Sequence, residues 1–209
     1  METFYNIEEQ RKWNDESMWS ADGHEWSGFF NGTDKLWNEH IFNKIKIFRN
    51  KKILEIAPGF GRMSQYLSVL ASELTAVDLN QTCIDKTREK LGNHIAAYYV
   101  NDGKSLSMIK SSSQDLVFSF DSFVHMHQNV VEEYVKEIKR VLKPGGYGFI
   151  HHSWFFGGKD NSFDNISGRA NMLPEIFKGF VESNDMEIVS QDEITFPEVL
   201  DCISFFRKK

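Results

Sequence analysis

Between Lys51 and Leu142 short apolar runs alternate with helical patterns, and this alternation constrains the fold more than any other feature of the 209-residue chain. "KKILEIA" reads as a buried strand, followed by a helix through "RMSQYLSVLA". "LTAVDL" is a second strand, after which Asn80 caps a helix through "TCIDKTREKL". "IAAYYV" is a third strand, with a short helix expected after Gly103. "DLVFSF" is a fourth, and Asn129 is expected to cap the helix "VVEEYVKEIKRVL", whose Val131, Tyr134, Val135, Ile138 and Leu142 recur at helical spacing. "KPGG" then ends that helix and turns the chain into a fifth strand, "YGFIHHS". Strands separated by helices pair in parallel through right-handed crossovers, which gives an α/β, Rossmann-like doubly wound sheet.

The two ends break the pattern. After a helix through "LPEIFKGFVESN", the runs "MEIVSQDEITF" and "DCISFFRK" are joined by a loop too short for a parallel return. They are expected to form an antiparallel hairpin that completes seven strands, with the last one antiparallel beside the fifth. Residues 1–50 are set apart as a helical lid or cap: an aromatic, glycine-broken lead precedes one helix, "DKLWNEHIFNKIKIF". Four of the five Trp fall there. Residues 51–209 are expected to form the Rossmann-like domain.

"APGFGR" connects the first strand to its helix with more backbone freedom than such a turn needs. Gly59 and Gly61 let the main chain approach a ligand, and the free N–H groups of the following helix face the same place. Ligands of doubly wound sheets bind at the carboxyl ends of the strands, where this turn lies. The dinucleotide fingerprint nearly fits when counted from Gly59, as Gly59, Gly61 and Ser64, but fails when counted from Ala57, where its third small residue would be Arg62. Arg62 itself reads most simply as a solvated helix-start residue.

With Glu55 inside the first strand and Ala57, Gly59 and Gly61 after it, the turn resembles that of the class I S-adenosylmethionine-dependent methyltransferases. Asp78 in "TAVDLN", Asp102 in "VNDG", "DLVFSFDSFVHM", "VLKPGGYGFI" and the terminal hairpin extend the resemblance from about Lys51 to the C-terminus. It implies S-adenosyl-L-methionine as cofactor. Glu55, Ala57, Gly59 and Gly61 would form the methionine end, Asp78 would hold the ribose and Asp102 the adenine amine, and Phe60, Leu79, Gly103 and Phe120 would also bind the cofactor. The carboxyl ends of strands four and five would flank the transferred methyl group. They carry four of the seven histidines, and Asp121, His125 and His152 are the candidate catalytic residues. His125 or His152 would be the base, with Asp121 orienting it or the substrate, and no metal is expected. A further similarity of "FSFDSFVHM" and "GFIHHS" to enzymes of small polar acceptors implies O-methylation of a sugar or polysaccharide precursor. The lead and the 153–172 loop would select it.

An NAD-dependent oxidoreductase and a noncatalytic nucleoside-binding partner subunit are the alternatives. A net charge of −6 argues against an extended nucleic-acid footprint, as does the lack of an Asn-Pro-Pro-Tyr motif. No stretch approaches the roughly 18 apolar residues of a membrane span. The N-terminus is too charged for a signal peptide, and Cys83 and Cys202 form neither a metal motif nor a disulfide framework, so a reduced, cytoplasmic setting is expected.

Overall fold

A computed structural model describes residues 5–209, with side chains from residue 7 onward. In chain order, α1 (Tyr5–Gln10) passes into short 3-10 turns that reach Phe30. A helical run follows: α2 (Thr33–Leu36), a π-helical segment (Trp37–Phe42), α3 (Asn43–Ile45) and a 3-10 turn (Lys46–Phe48). The expected single helix is therefore present but over-wide in its middle. Then come β1 (Lys52–Ile56), α4 (Ser64–Leu70), β2 (Glu73–Asp78), α5 (Gln81–Leu91) and β3 (Ala97–Val100). The chain ends with β4 (Gln114–Phe123), α6 (Gln128–Val141), β5 (Leu142–Ser153), α7 (Pro174–Ser183), β6 (Met186–Thr195) and β7 (Leu200–Lys208).

The seven strands lie in the order β3-β2-β1-β4-β5-β7-β6. β1 pairs in parallel with β2 and β4, β4 pairs in parallel with β5, and β7 runs antiparallel between β5 and β6. The order reverses at β1 and β4, which opens a crevice at their carboxyl ends.

Both faces are apolar, and strict alternation along each strand feeds two cores. Leu54 and Ile56 of β1 join Val131, Tyr134, Val135 and Ile138 of α6 and Phe177 of α7 on one face. Ile53 joins Leu67 of α4 and Leu36, Trp37, Ile41 and Ile45 of the N-terminal run on the other. Each of these fully buried large side chains contributes about 1.5–3 kcal/mol of apolar transfer energy. Trp37 is thus a core residue that also stacks on Tyr66 at 4.8 Å.

Three local expectations are corrected. No helix follows Gly103, because Leu106 and Ile109 are drawn into the core and the loop hangs on α6. Glu137 accepts the Leu106 N–H at 2.7 Å, and Arg140 donates to the carbonyls of Leu106 and Ile109. α6 starts one residue before the expected cap, and His127 rather than Asn129 is its N-cap, accepting the Asn129 N–H. "KPGG" does not separate helix from strand: Leu142 already pairs with Gln114, and the register resumes at Tyr147 after a bulge.

Candidate functional site

A cavity of about 610 Å³ lies at the carboxyl ends of β1, β2 and β4. Glu55, Ala57, Gly59, Asp78, Leu79, Gly103, Phe120, Asp121 and His125 all line it. The N-terminal segment supplies a second wall from Ile7 to Phe29.

The glycine turn carries three positive φ angles, at Ala57 (+57°), Gly59 (+59°) and Gly61 (+82°). Ala57 thus adopts the left-handed conformation that glycine takes at no cost. Gly59 is constrained twice, since a Cβ there would also meet the Trp19 indole at 2.5 Å. That indole lies flat on Phe60, with centroids 4.2 Å apart. Phe60 therefore packs behind the turn, and Gly61 faces Thr87 of α5; neither lines the cavity.

Glu55 is buried on the floor and accepts the Ser64 hydroxyl at 2.6 Å. Burial pushes its carboxyl up to about 8, against the Ser64 hydrogen bond. Burial likewise raises Asp78 to about 7, although the N–H groups of Asn80 (2.8 Å) and Gly59 (3.4 Å) oppose it. A ligand that donates O–H or N–H groups to Asp78 favours its carboxylate, so binding should tighten as pH rises through 7. Calorimetry with S-adenosylhomocysteine should show affinity growing by up to about tenfold per pH unit below 7, with proton release. Asp78→Asn should remove this contribution and leave only the dependence that Glu55 imposes near pH 8.

Asp102 departs from expectation. Its carboxylate accepts the N–H groups of Lys104 and Ser105 in its own loop and lies outside the cavity lining, whereas Gly103 lines it.

The acceptor end is built around a buried chain of alternating charges. Arg62, far from being solvated, is 5% exposed and bonds both the Ser27 hydroxyl and the Asp121 carboxylate. Asp121, at φ +60° in the β4 bulge, has its other oxygen 3.1 Å from His151 Nδ1. His151 Nε2 lies 3.4 Å from Asp201, and Arg169 holds Asp201 with a contact of 2.5 Å. Burial opposes ionisation of Asp121, but Arg62 and His151 outweigh it and hold the carboxyl far below its usual range. Burial lowers His151, yet its two flanking carboxylates turn the net direction upward. The Asp121 main-chain N–H, 3.1 Å from the same Nδ1, favours the neutral ring and competes with that protonation. Arg62, Asp121 and Arg169 reach the cavity, whereas His151 and Asp201 support them from behind.

His125 and His152 do not converge. His152 bonds the Ser153 carbonyl and the Ser204 hydroxyl and stacks on Phe177 at 4.3 Å. It belongs to the α7 core and is removed from the candidate set: successive residues of β5 face opposite ways, and His151 takes the Asp121 side. His125 lines the cavity, with Nδ1 2.8 Å from the Gly168 carbonyl. A carbonyl only accepts, so the proton sits on Nδ1 and Nε2 keeps its lone pair. Burial, aided by the Arg169 charge, lowers its pKa to about 4. His125 is therefore neutral at physiological pH.

Arg62, Asn80, Arg169 and the 196–199 loop escaped the sequence reading. Only "NQTC" after β2, a helix start, offered a local signal for Asn80. Among the described residues no group of three His, Cys, Asp or Glu is arranged to hold a metal ion.

A family model described as a methyltransferase domain matches residues 54–150. The chain is similar to phosphoethanolamine N-methyltransferase 1 of Triticum aestivum, 28% identical over 131 residues, covering 61% of this chain and 26% of that protein. It is similar to the ubiquinone/menaquinone biosynthesis C-methyltransferase UbiE of Geotalea daltonii, 28% identical over 125 residues, covering 55% of this chain and 51% of that protein. The chain thus spans about a quarter of the plant relative and half of the bacterial one. Magnesium protoporphyrin IX methyltransferase from Synechocystis PCC 6803, solved with bound SAM, shares the fold at TM-score 0.69 and 10% identity over 100% of both chains. A S-adenosylmethionine-dependent methyltransferase from Clostridium acetobutylicum does so at TM-score 0.67 and 15% identity, over 83% of this chain and 91% of that one.

Proposed function

We propose that the chain, whose residues 54–150 match a methyltransferase-domain model, is a class I S-adenosylmethionine-dependent methyltransferase that methylates a hydroxyl of a small polar acceptor, of the sugar or polysaccharide-precursor class. The observation that carries the reading is the meeting, in one cavity, of a ligand-cradling glycine turn, two buried acids and a neutral histidine with a free ring nitrogen.

The residues fit the cofactor. Gly59 lines the cavity with the Trp19 indole seated where a Cβ would lie, Asp78 offers a carboxylate to the ribose, and Glu55 an acid to the ammonium. Leu79, Gly103 and Phe120 supply apolar surface for the adenosine. When bound, the cofactor supplies a methyl group on a sulfonium centre, and positioning accounts for much of such a transfer. His125 Nε2 accepts the acceptor's proton. Asp121, its charge fixed by Arg62 and His151, orients the acceptor and is too weakly basic to share that role.

Trp13, Trp19 and Trp26 pack edge to face, with centroids 4.9–5.7 Å apart, along the cavity wall. As a lid they would exclude water and give the sulfonium an aromatic face. Aromatic walls with a polar floor also suit a sugar, whose C–H faces stack while its hydroxyls bond. An ammonium acceptor would instead face the buried charges of Arg62 and Arg169. Isotopically labelled S-adenosylmethionine offered with hydroxylated, amine and quinone acceptors tests the choice. Label on oxygen is expected; label on nitrogen or carbon overturns the O-methylation reading. Tight NAD binding without any response to S-adenosylhomocysteine would overturn the methyltransferase assignment.

A further inference from the structure

The N-terminal segment meets the cofactor end of the cavity at several points, Asn14 at the Thr82 N–H and Trp13 at Cys83 among them, and the joint at Gln10 contains a buried oxygen without a partner among the described residues. Helix α1 ends at Gln10, which is buried. Its main-chain carbonyl accepts from Asn80 Nδ2 at 3.1 Å, and its own Nε2 donates to the His125 carbonyl at 2.9 Å. A single strap residue thus bridges the loop after β2 and the loop that carries the proposed base.

Asn80 is spent in an unusual way. It occupies the N-cap position of α5, where an asparagine oxygen ordinarily accepts a helix N–H, yet its side chain caps nothing. The amide cannot be turned over, because only its NH₂ group can donate to the Gln10 carbonyl. Oδ1 is left buried and without a hydrogen-bond partner among the described residues, in a residue that lines the cavity two positions after Asp78. A buried acceptor without a donor is uncommon in a native protein and marks a missing partner. Asp78 already receives the main-chain N–H of Asn80, so the carboxylate and this amide are held as neighbours.

We infer that Asn80 is a further cofactor-contacting residue, whose Oδ1 accepts one hydroxyl of the ribose while Asp78 accepts the other. This rests on the cofactor assignment and extends it to the strap. A ribose diol has two O–H donors, and the two side chains present acceptors side by side. The amide is planar, so a ligand held at Oδ1 fixes Nδ2 toward Gln10. Cofactor binding thereby holds the strap in this closed arrangement and steadies the loop of His125.

Hydrogen exchange of residues 7–14 and calorimetry on the full chain, both with S-adenosylhomocysteine, test this. Ligand should slow exchange in the strap of the unaltered protein by about tenfold or more. Asn80→Ser keeps a helix-capping hydroxyl but is too short to serve both partners. It should bind about tenfold more weakly, the loss of one hydrogen bond, and show no ligand-dependent protection. Gln10→Met, which loses only the bond to His125, should keep affinity within about twofold and lose part of the protection. The 2′-deoxy and 3′-deoxy ligands on the unaltered protein give a reading that needs no variant: one of them should bind without protecting the strap. Full affinity in Asn80→Ser, or full strap protection by both deoxy ligands, overturns the inference. Absence of any S-adenosylhomocysteine binding to the unaltered protein overturns the cofactor assignment, and the inference with it.

Discussion

Replacing His125 with alanine should lower turnover about 10²-fold while leaving affinity for S-adenosylhomocysteine nearly unchanged. A positioned base contributes roughly 10²–10⁴-fold, and the lower end applies because a base of low proton affinity assists less. Burial and the Arg169 charge bring His125 to about 4, so its Nε2 is unprotonated throughout the neutral range. Turnover at saturating cofactor should therefore be flat through pH 6.5, where an ordinary histidine titrates, and should fall only as pH approaches 4. Saturation is essential to the measurement, since Asp78 and Glu55 make cofactor affinity itself pH-dependent near 7 and 8. Full turnover in His125→Ala, or an inflection at 6.5 that survives in the variant, would overturn the proposed role. The bond donated by the Gln10 side chain ends on the His125 main-chain carbonyl, so alanine preserves it and the strap stays fastened.

The parts of the protein that could be read from sequence are those fixed by local chemistry. The alternation of strand and helix, the glycine turn after β1 and the position of Asp78 at the end of β2 each depend on neighbours within a few residues. Glu55 could be placed because an acid inside an apolar strand needs a reason. The acceptor side could not be read this way. Arg62 looks like any charged residue at a helix start until Asp121, 59 residues away, meets its guanidinium. Arg169 and Asp201 are 32 residues apart, and the amide of Asn80 meets Gln10 across 70.

The choice between His151 and His152 failed for a related reason. Alternation says that adjacent residues face opposite ways, but in a parallel sheet buried on both faces the apolar pattern does not say which face is which. Phe149 and Ile150 are both fully buried, one in each core, so the flanking sequence cannot tell the sides apart. Asp102 illustrates a different limit. Asp before glycine is good turn chemistry, and here the turn claims its carboxylate. The helix expected after Gly103 was lost to tertiary pull, because Arg140 and Glu137 of α6 satisfy the loop's backbone groups directly.

The buried charge chain makes the largest prediction for stability. Arg62→Met should destabilise the fold by about 3 kcal/mol, the lower end of the cost of stranding one member of a buried pair, because His151 still partners Asp121. At roughly 2–4 °C per kcal/mol for a chain of this size, the melting temperature should fall by about 6–12 °C. Arg62→Met/Asp121→Asn should recover most of that loss, since no charge is then left without its partner. Asparagine also tolerates the left-handed backbone at this position. The pH dependence gives an independent check. Asp121 has its carboxyl depressed in the folded state, so its contribution is present above the unfolded value near 3.9 and is lost as pH falls below it. Below about pH 4 the unaltered protein should therefore lose stability more steeply than Arg62→Met, and the two denaturation curves should converge toward acid. If Arg62→Met melts with the unaltered protein at neutral pH, the ion pair contributes nothing net. The anchoring of Asp121 would then have to come from His151 and the strained bulge of β4 alone.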